Sequence, residues 1–128
     1  MKGKSLFLYN IDQLQWEKCH VSNLPDIKSE IRLMMKSVQV SQDEVYMVGG
    51  TNSKVTETYA TCLTYSLSKQ TLRRMPSMNE QRMSFGFLLF QDHVYVVGGA
   101  GNKRTLLTTC ERICVSNPIG WQRLPCLN

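Results

Sequence analysis

An internal repeat is the feature of this sequence that most constrains its fold. The segment Val45–Gly50 recurs as Val94–Gly99, which gives a period of 49 residues. The same offset relates Leu72–Pro76 to Trp121–Pro125. A repeated unit of this size buries its apolar surface by packing against its neighbours. The sequence therefore predicts one architecture that is built from copies of a single unit.

A partial third copy opens the chain. Six residues separate the two members of each of three pairs: Tyr9 and Trp16, Tyr65 and Leu72, and Cys114 and Trp121. The chain therefore begins with the end of a unit. We predict the last strands of a partial unit and a long loop in residues 1–31, and one repeat each in residues 32–79 and 80–128.

Each full unit is predicted to contain four short strands. The first strand is apolar enough to be buried on both faces, the second ends at a double glycine, and the third alternates apolar and polar residues as a half-buried strand does. In this order the predicted strands are Val38–Val40, Val45–Val48, Tyr59–Leu67 and Leu72–Met75, and in the second copy Phe85–Phe90, Val94–Val97, Leu107–Val115 and Trp121–Leu124. Helical periodicity is absent from the sequence, so we expect an all-β chain.

Each full unit contains a hydrophobic run, a double glycine, and then positions for Tyr and Trp with six residues between them. In this pattern the chain resembles the kelch-repeat family. The resemblance implies four-stranded antiparallel blades of a β-propeller, about two and a half of them here. Closed propellers have roughly 4–8 blades, so these blades form an incomplete propeller. We expect a piece of a longer propeller or a shortened product, with association of copies as the alternative. We expect no stable fold as a monomer.

Three positions depart from the kelch pattern. Leu72 stands where the family has Trp, and Cys114 stands where it has Tyr. The acidic residue that the family has on the third strand is present as Glu111, with Cys62 at the equivalent position of the other copy. We expect Leu72 to leave a less completely filled contact between blades.

Glycine and tryptophan are the residues to which we assign structural roles. The double glycines Gly49–Gly50 and Gly98–Gly99 permit backbone torsions that other residues avoid, and they let neighbouring strands approach closely. A tryptophan on the last strand can bury some 150–250 Å² between blades. We therefore expect Trp16 and Trp121 to lie at contacts between blades.

The resemblance also implies a partner-binding surface. Receptor-type kelch propellers commonly hold a partner with residues just after the double glycine and just before the first strand. Matched by position, and with one nearby basic residue added, the candidates are Met35, Thr51, Ser53, Ser84, Ala100, Asn102 and Arg104. The neighbouring basic side chains favour an acidic protein or peptide as the partner.

The family resemblance suggests the biological context of such a surface. Kelch propellers often recognise substrates in BTB-kelch adaptors of cullin-type ubiquitin ligases, so we expect a protein-interaction module of this kind. The cullin would be reached through a BTB domain that is not part of this chain. An actin-associated or other cytoskeletal scaffold is the alternative.

Other function classes have little support in the sequence. The net charge is +5, but the basic residues are spread singly and in pairs, so we expect no nucleic-acid partner. No apolar run approaches the roughly 20 residues that span a bilayer, so we expect a soluble protein with no membrane partner. The five cysteines are an odd number without a secretory signal, which favours reduced thiols in the cytoplasm.

Catalytic and metal-binding patterns are also missing from the sequence. Cys110 and Cys114 would lie about 13 Å apart on one strand, which is too far for a shared zinc ion. Cys19 and His20 are adjacent, and neighbouring side chains on a strand point to opposite faces. We therefore expect no enzyme activity, no metal and no cofactor.

Overall fold

The part of the chain that the structure describes, residues 5–125, is almost entirely β in a computed structural model. It opens with a two-stranded antiparallel hairpin of β1 (Phe7–Asn10) and β2 (Gln15–Lys18). A short helix, α1 (Leu24–Ile27), and a 3-10 helix (Lys28–Glu30) follow. The all-β class is confirmed, although the long loop carries this short helical segment. Cys126 lies outside the described residues.

Two four-stranded antiparallel sheets follow the hairpin, and in each sheet the strands are neighbours in chain order. The first sheet contains β3 (Lys36–Gln39), β4 (Glu44–Val48), β5 (Cys62–Ser66) and β6 (Thr71–Met75). The second sheet contains β7 (Gly86–Phe90), β8 (His93–Val97), β9 (Cys110–Cys114) and β10 (Trp121–Leu124). A second 3-10 helix (Asn102–Arg104) lies in the loop between β8 and β9.

The register of the strands corrects the 49-residue period at β9. Val48 pairs with Cys62, whereas Val97 pairs with Cys110. Val97 lies 49 residues after Val48, but Cys110 lies only 48 residues after Cys62. The loop before β9 is one residue shorter than its counterpart, and the turn after β9 absorbs the difference.

Two sequence equivalences change as a result. Tyr65 pairs with Leu72 across the strands, and Ile113 pairs with Trp121 in the same way. The counterpart of Tyr65 in the second unit is therefore Ile113 and not Cys114. Glu111 corresponds to Leu63 and not to Cys62, because they occupy the second position of β9 and β5.

The first sheet is covered on both of its faces, because successive residues of a strand point to opposite sides. Tyr46 and Val48 pack with Val94 and Val96 in an apolar cluster between the two sheets. Met47 belongs to a second cluster that lies against the hairpin and the α1 loop. As a consequence, β5 is more buried than the predicted half-buried strand.

The first strand of each unit is less buried than predicted. The prediction that the first strand is buried on both faces is wrong in both units. In β3, three of the four residues are exposed. In β7, Phe90 is 58% exposed and Leu88 is also exposed. β7 is an edge strand, and within the described residues no further sheet covers its outer face. The hydrophobic pattern alone does not reveal this.

The double glycines adopt backbone conformations that exclude a side chain. Gly50 has φ +107 and Gly99 has φ +91. A Cβ atom on Gly50 would lie 2.6 Å from the carbonyl oxygen of Leu33, and one on Gly99 would lie 2.6 Å from that of Met83. Each second glycine therefore lets the segment before the first strand cross close to the end of the second strand.

The tryptophans differ in their surroundings. Trp121 is 8% exposed and its indole Nε1 donates a hydrogen bond to the carbonyl of Pro76 at 2.8 Å, so it lies between the sheets. Trp16 is 70% exposed, because within the described residues no sheet lies outside the hairpin. Leu72 is buried, so this position does not leave an open contact.

None of the helices among residues 5–125 is long and apolar enough to cross a membrane.

Candidate protein-binding site

The seven predicted partner-binding residues lie at one end of the two sheets, where β4 and β8 end. We call this the Gly-Gly end, and it comprises residues 31–35, 49–61, 76–85 and 98–109. Short backbone bridges hold its segments together: Leu33 with Thr51, Thr51 with Thr58, Met83 with Ala100, and Ala100 with Leu106. The loops that follow the double glycines are therefore fixed in place by backbone hydrogen bonds.

Three of the predicted residues hold this end together. Thr51 is buried and its hydroxyl donates to the carbonyl of Glu57 at 2.7 Å. Ala100 is half-buried within its bridges. The Asn102 side-chain oxygen accepts from the backbone N–H of Thr58 at 2.8 Å and from its hydroxyl at 2.9 Å. Asn102 thus ties the loop of the second sheet to that of the first.

The other four predicted residues are three exposed residues and one half-buried residue. Ser53, Ser84 and Arg104 are exposed. Ser84 has φ +54, and its counterpart by register is Met34, with φ +58, so Met35 lies one residue beyond the matching position. Met35 is half-buried and lines a cleft.

Arg82 joins the two sheets at the Gly-Gly end. Its backbone N–H donates to the carbonyl of Tyr59 at 3.3 Å, and its carbonyl accepts from the N–H of Gly50 at 3.3 Å. Its side chain enters the second sheet, where Nη1 donates to the carbonyl of Thr109 at 3.0 Å and Nη2 to Glu111 at 3.0 Å. This guanidinium is 0% exposed and the Glu111 side chain is 1% exposed.

The Glu111 carboxylate is surrounded by donors. It accepts from the backbone N–H of Asn79 at 2.7 Å, from the side-chain amide of Asn79 at 2.7 Å and from the N–H of Glu80 at 3.1 Å. With Arg82 this completes a buried ion pair whose carboxylate is fully hydrogen-bonded, as a buried charge requires.

Arg32 is the counterpart of Arg82 in the first unit, but it has no equivalent carboxylate. Leu63 occupies the register position of Glu111 in the first sheet. Arg32 forms no ion pair among residues 5–125, whereas the buried Nε of both arginines has no hydrogen-bond partner. Its guanidinium lies 3.8 Å from the centre of the Tyr59 ring, where a cation–π contact partly replaces the missing pair.

The Tyr59 side chain lies between the Arg32 guanidinium and the carboxylate of Glu57, two residues earlier in the same loop. The Tyr59 hydroxyl donates to Glu57 at 3.0 Å, and this hydrogen bond raises the pKa of Tyr59. Arg32 acts in the opposite direction on the same pKa. The Tyr59 ring is therefore held between the cation on its face and the acceptor at its hydroxyl.

Arg32 also lines an apolar cleft that lies between β1 and the first sheet. The cleft has a volume of about 380 Å³ and is lined mainly by apolar side chains, among them Leu6, Leu8, Met35 and Met47. A guanidinium that has no carboxylate partner in the described part of the chain thus lies beside an apolar surface. This arrangement suits an acidic group that is followed by an apolar side chain.

The opposite end of the sheets carries two hydrogen-bonded aspartates. Asp43 accepts from the N–H of Ser68 at 2.7 Å and from the hydroxyl of Ser66 at 2.8 Å, and these residues hold its pKa below the usual range. Asp92 accepts from the N–H of Ser116 at 3.2 Å and from its hydroxyl, which also lowers its pKa. These carboxylates remain ionised near neutral pH and disfavour an acidic partner there.

The cysteines of the described residues are free thiols. Burial raises the pKa of Cys62 to about 12, and burial together with the charge of Glu17 raises the pKa of Cys19. Within residues 5–125 no group of three or more His, Cys, Asp or Glu side chains is placed to hold a metal ion.

Arg32 is the candidate residue that sequence reasoning did not assign to the site. The available signal was its position, since Arg32 and Arg82 stand at corresponding places before the first strand of each unit. The sequence already indicated that the first unit lacks this carboxylate, and the register only moves the position from Cys62 to Leu63.

No family model matches the chain. It is similar to the Kelch repeat and BTB domain-containing protein 2 of Ectromelia virus (strain Moscow), with 26% identity over 100 residues, which cover 71% of this chain and 17% of the relative. The protein of the same name from Cowpox virus (strain GRI-90 / Grishak) is 30% identical over 82 residues, 64% of this chain and 14% of the relative. That of Horsepox virus is 29% identical over 82 residues.

The matched part of the chain therefore corresponds to less than a fifth of these relatives. Together with the antiparallel β-sheets, the similarities support a kelch-like relationship at the level of the family. They also suggest a kelch-type role in protein interaction.

Proposed function

We propose that this chain is part of a kelch-type β-propeller that captures an acidic segment of a partner protein at the Gly-Gly end. The observation that carries the proposal is Arg32, whose guanidinium has no carboxylate partner within residues 5–125 and lines an apolar cleft. In the other unit the corresponding Arg82 pairs with the Glu111 carboxylate through Nη2, although its Nε, like that of Arg32, has no hydrogen-bond partner.

Three exposed residues extend the surface. Arg104 and Ser53 follow the double glycines of the two units, and Ser84 precedes β7. In this proposal Arg32 holds an acidic side chain, Met35 contacts a neighbouring apolar residue in the cleft, and Arg104 draws the partner towards the loops by its charge.

The biological role that we propose is substrate recognition in a BTB-kelch adaptor of a cullin-type ubiquitin ligase, in the cytoplasm, where the free thiols stay reduced. This context is supported by the names of the relatives, which combine kelch repeats with a BTB domain. A cullin that copurifies with the protein from cells supports it, and cosedimentation with actin filaments without a cullin contradicts it.

Peptide selection tests the binding proposal. Random peptides displayed on phage are selected against the chain, and the enriched sequences are titrated by fluorescence polarisation. We expect enrichment of Asp and Glu next to a large apolar residue, and binding that weakens as salt is added.

Arg32→Gln should weaken binding of the selected peptides about tenfold or more, the effect of losing a charged hydrogen bond. Lys69→Gln is the matched control, since it removes the same charge from the exposed turn between β5 and β6 at the opposite end. Equal losses in the two variants, or enrichment of peptides without acidic residues, would contradict the proposal.

A further inference from the structure

Two positions at the Gly-Gly end have left-handed backbone torsions in both units. The position just before the first strand is Met34 in the first unit, with φ +58, and Ser84 in the second, with φ +54. The position in the loop after the double glycine is Val55, with φ +55, and Arg104, 49 residues later, with φ +58. The left-handed torsion therefore belongs to the repeat, whereas the side chain at each position differs between the units.

Val55 is an unfavourable residue for its backbone conformation. Among the described residues with a positive φ it is the β-branched one, and β-branched side chains avoid the left-handed region most strongly. The Asn52 side chain fixes the loop in this shape, because its oxygen accepts from the N–H groups of Thr56 at 2.9 Å and Glu57 at 3.3 Å. Asparagine or glycine at position 55 would adopt the same torsion with less strain.

Neighbouring units leave both positions exposed. Met34 and Val55 are 56% and 40% exposed, although the second sheet packs against the sheet to which they belong. Ser84 and Arg104 are exposed, although the first sheet packs against theirs. The positions therefore stay accessible with a unit on one side or on the other.

The two units fill these positions with different chemistry. The first unit exposes two apolar side chains, and the second exposes a hydroxyl and a guanidinium. Neither Met34 nor Val55 belongs to an apolar cluster of the core. Apolar residues that stay exposed and break a conformational rule are typical of a functional surface.

Both apolar side chains are connected to the site around Arg32. Met34 lies two residues after Arg32 and lines the same cleft. Val55 lies in the loop that carries Glu57, which accepts the hydroxyl of Tyr59 at 3.0 Å beneath the Arg32 guanidinium.

We infer that Met34 and Val55 select the apolar residues that stand next to the acidic residue of the partner segment. The inference rests on the proposed function and names the side chains that read the sequence around the acidic group. Because the second unit has Ser84 and Arg104 instead, the apolar requirement belongs to the first unit. The valine is retained for this contact at the expense of stability.

A binding and stability comparison of Val55→Asn tests the inference. The variant should raise the melting temperature of the free chain by about 3–6 °C, because asparagine tolerates the left-handed torsion. It should also weaken binding of the selected acidic peptides at least about fivefold, the effect of losing one or two buried methyl groups. Replacing the peptide's apolar residue with alanine should remove this difference between the wild-type chain and the variant.

Two further variants complete the experiment. Met34→Ser introduces the residue of the second unit and should also weaken peptide binding at least about fivefold. Gln70→Asn is the matched control, because Gln70 has φ +54 in the exposed turn between β5 and β6 at the opposite end. This control should raise the melting temperature slightly and leave the peptide affinity unchanged.

The outcomes separate this inference from the proposed function. Unchanged affinity in Val55→Asn or Met34→Ser, together with a loss in Arg32→Gln, would overturn the inference and leave the proposed function intact. A lower melting temperature in Val55→Asn would contradict the strain argument and overturn the inference as well. A wild-type chain that enriches no acidic peptide would overturn both.

Discussion

Replacing Glu111 with Gln should destabilise the protein by about 3–5 kcal/mol, the usual cost of breaking a buried ion pair by removing one charge. Arg82 and Glu111 are 0% and 1% exposed, so water cannot replace the lost partner. The glutamine has the same size, but its NH₂ group must face a donor, either the guanidinium or the N–H groups of Asn79 and Glu80. The magnitude is a large part of the roughly 5–15 kcal/mol that stabilises a domain.

Urea unfolding, followed by circular dichroism at one protein concentration, measures the effect. With a slope of about 1.5 kcal/mol per molar urea, a loss of about 3 kcal/mol lowers the midpoint by about 2 M. Glu30→Gln is the matched control, because it breaks the exposed pair with Arg74, in which the Arg74 and Glu30 side chains are 60% and 30% exposed. That change should cost less than about 1 kcal/mol.

The double variant Arg82→Met with Glu111→Gln separates the ion pair from general disruption. Without the guanidinium, the introduced glutamine no longer faces an unpaired buried charge, so the double variant should be more stable than the sum of the two single losses predicts. Strictly additive losses, or a loss below about 1 kcal/mol in Glu111→Gln alone, would refute the reasoning.

Three further predictions concern stability and reactivity. Tyr46→Phe should be neutral or stabilising, because the buried Tyr46 hydroxyl has no hydrogen-bond partner. Tyr95→Phe loses a hydrogen bond to an arginine and should be slightly destabilising. The opposite order of melting temperatures would refute this prediction. Serine hydrogen bonds hold the pKa values of Asp43 and Asp92 below the ordinary 3.8. The ionised carboxylates therefore stabilise the fold above that pH, and this stabilisation is lost as they become protonated at lower pH. The double variant to Asn should therefore lose stability less steeply in acid, and identical profiles would contradict the assignment. Burial raises the pKa of Cys62 to about 12, so this thiol should react with a disulfide reagent at pH 8 more slowly than the half-buried thiols. Equal rates in a time course followed by mass spectrometry would contradict this prediction.

The repeat made the strands of this chain predictable. The second and last strands lie close to the predicted bounds, because a double glycine and a proline mark where they end. Gly50 and Gly99 could be assigned a conformational role because few other residues tolerate their backbone torsions.

The register of β9 could not be read from the spacing. The loop before Cys110 is one residue shorter than its counterpart, and the turn before Trp121 is one residue longer. The positions on either side of β9 therefore keep the 49-residue spacing. Only the backbone pairing shows that Leu63, and not Cys62, is the counterpart of Glu111.

Burial depends on neighbours that a strand pattern does not specify. β7 has the composition of a strand buried on both faces, yet Phe90 lies on a face that no described sheet covers. Trp16 has the same pattern as Trp121 but the opposite exposure, for the same reason. Similarly, the candidate binding role of Arg32 depends on its place beside Tyr59 and an apolar cleft, which the repeat pattern does not specify.

A crystal structure of the chain bound to a selected acidic peptide tests the central claim most directly. The account predicts a peptide carboxylate within hydrogen-bond distance of the Arg32 guanidinium, and an apolar peptide side chain in the cleft beside Met35. A peptide bound at the opposite end, near Asp43 and Asp92, or one that leaves Arg32 stacked on Tyr59 without a new acceptor, would contradict it.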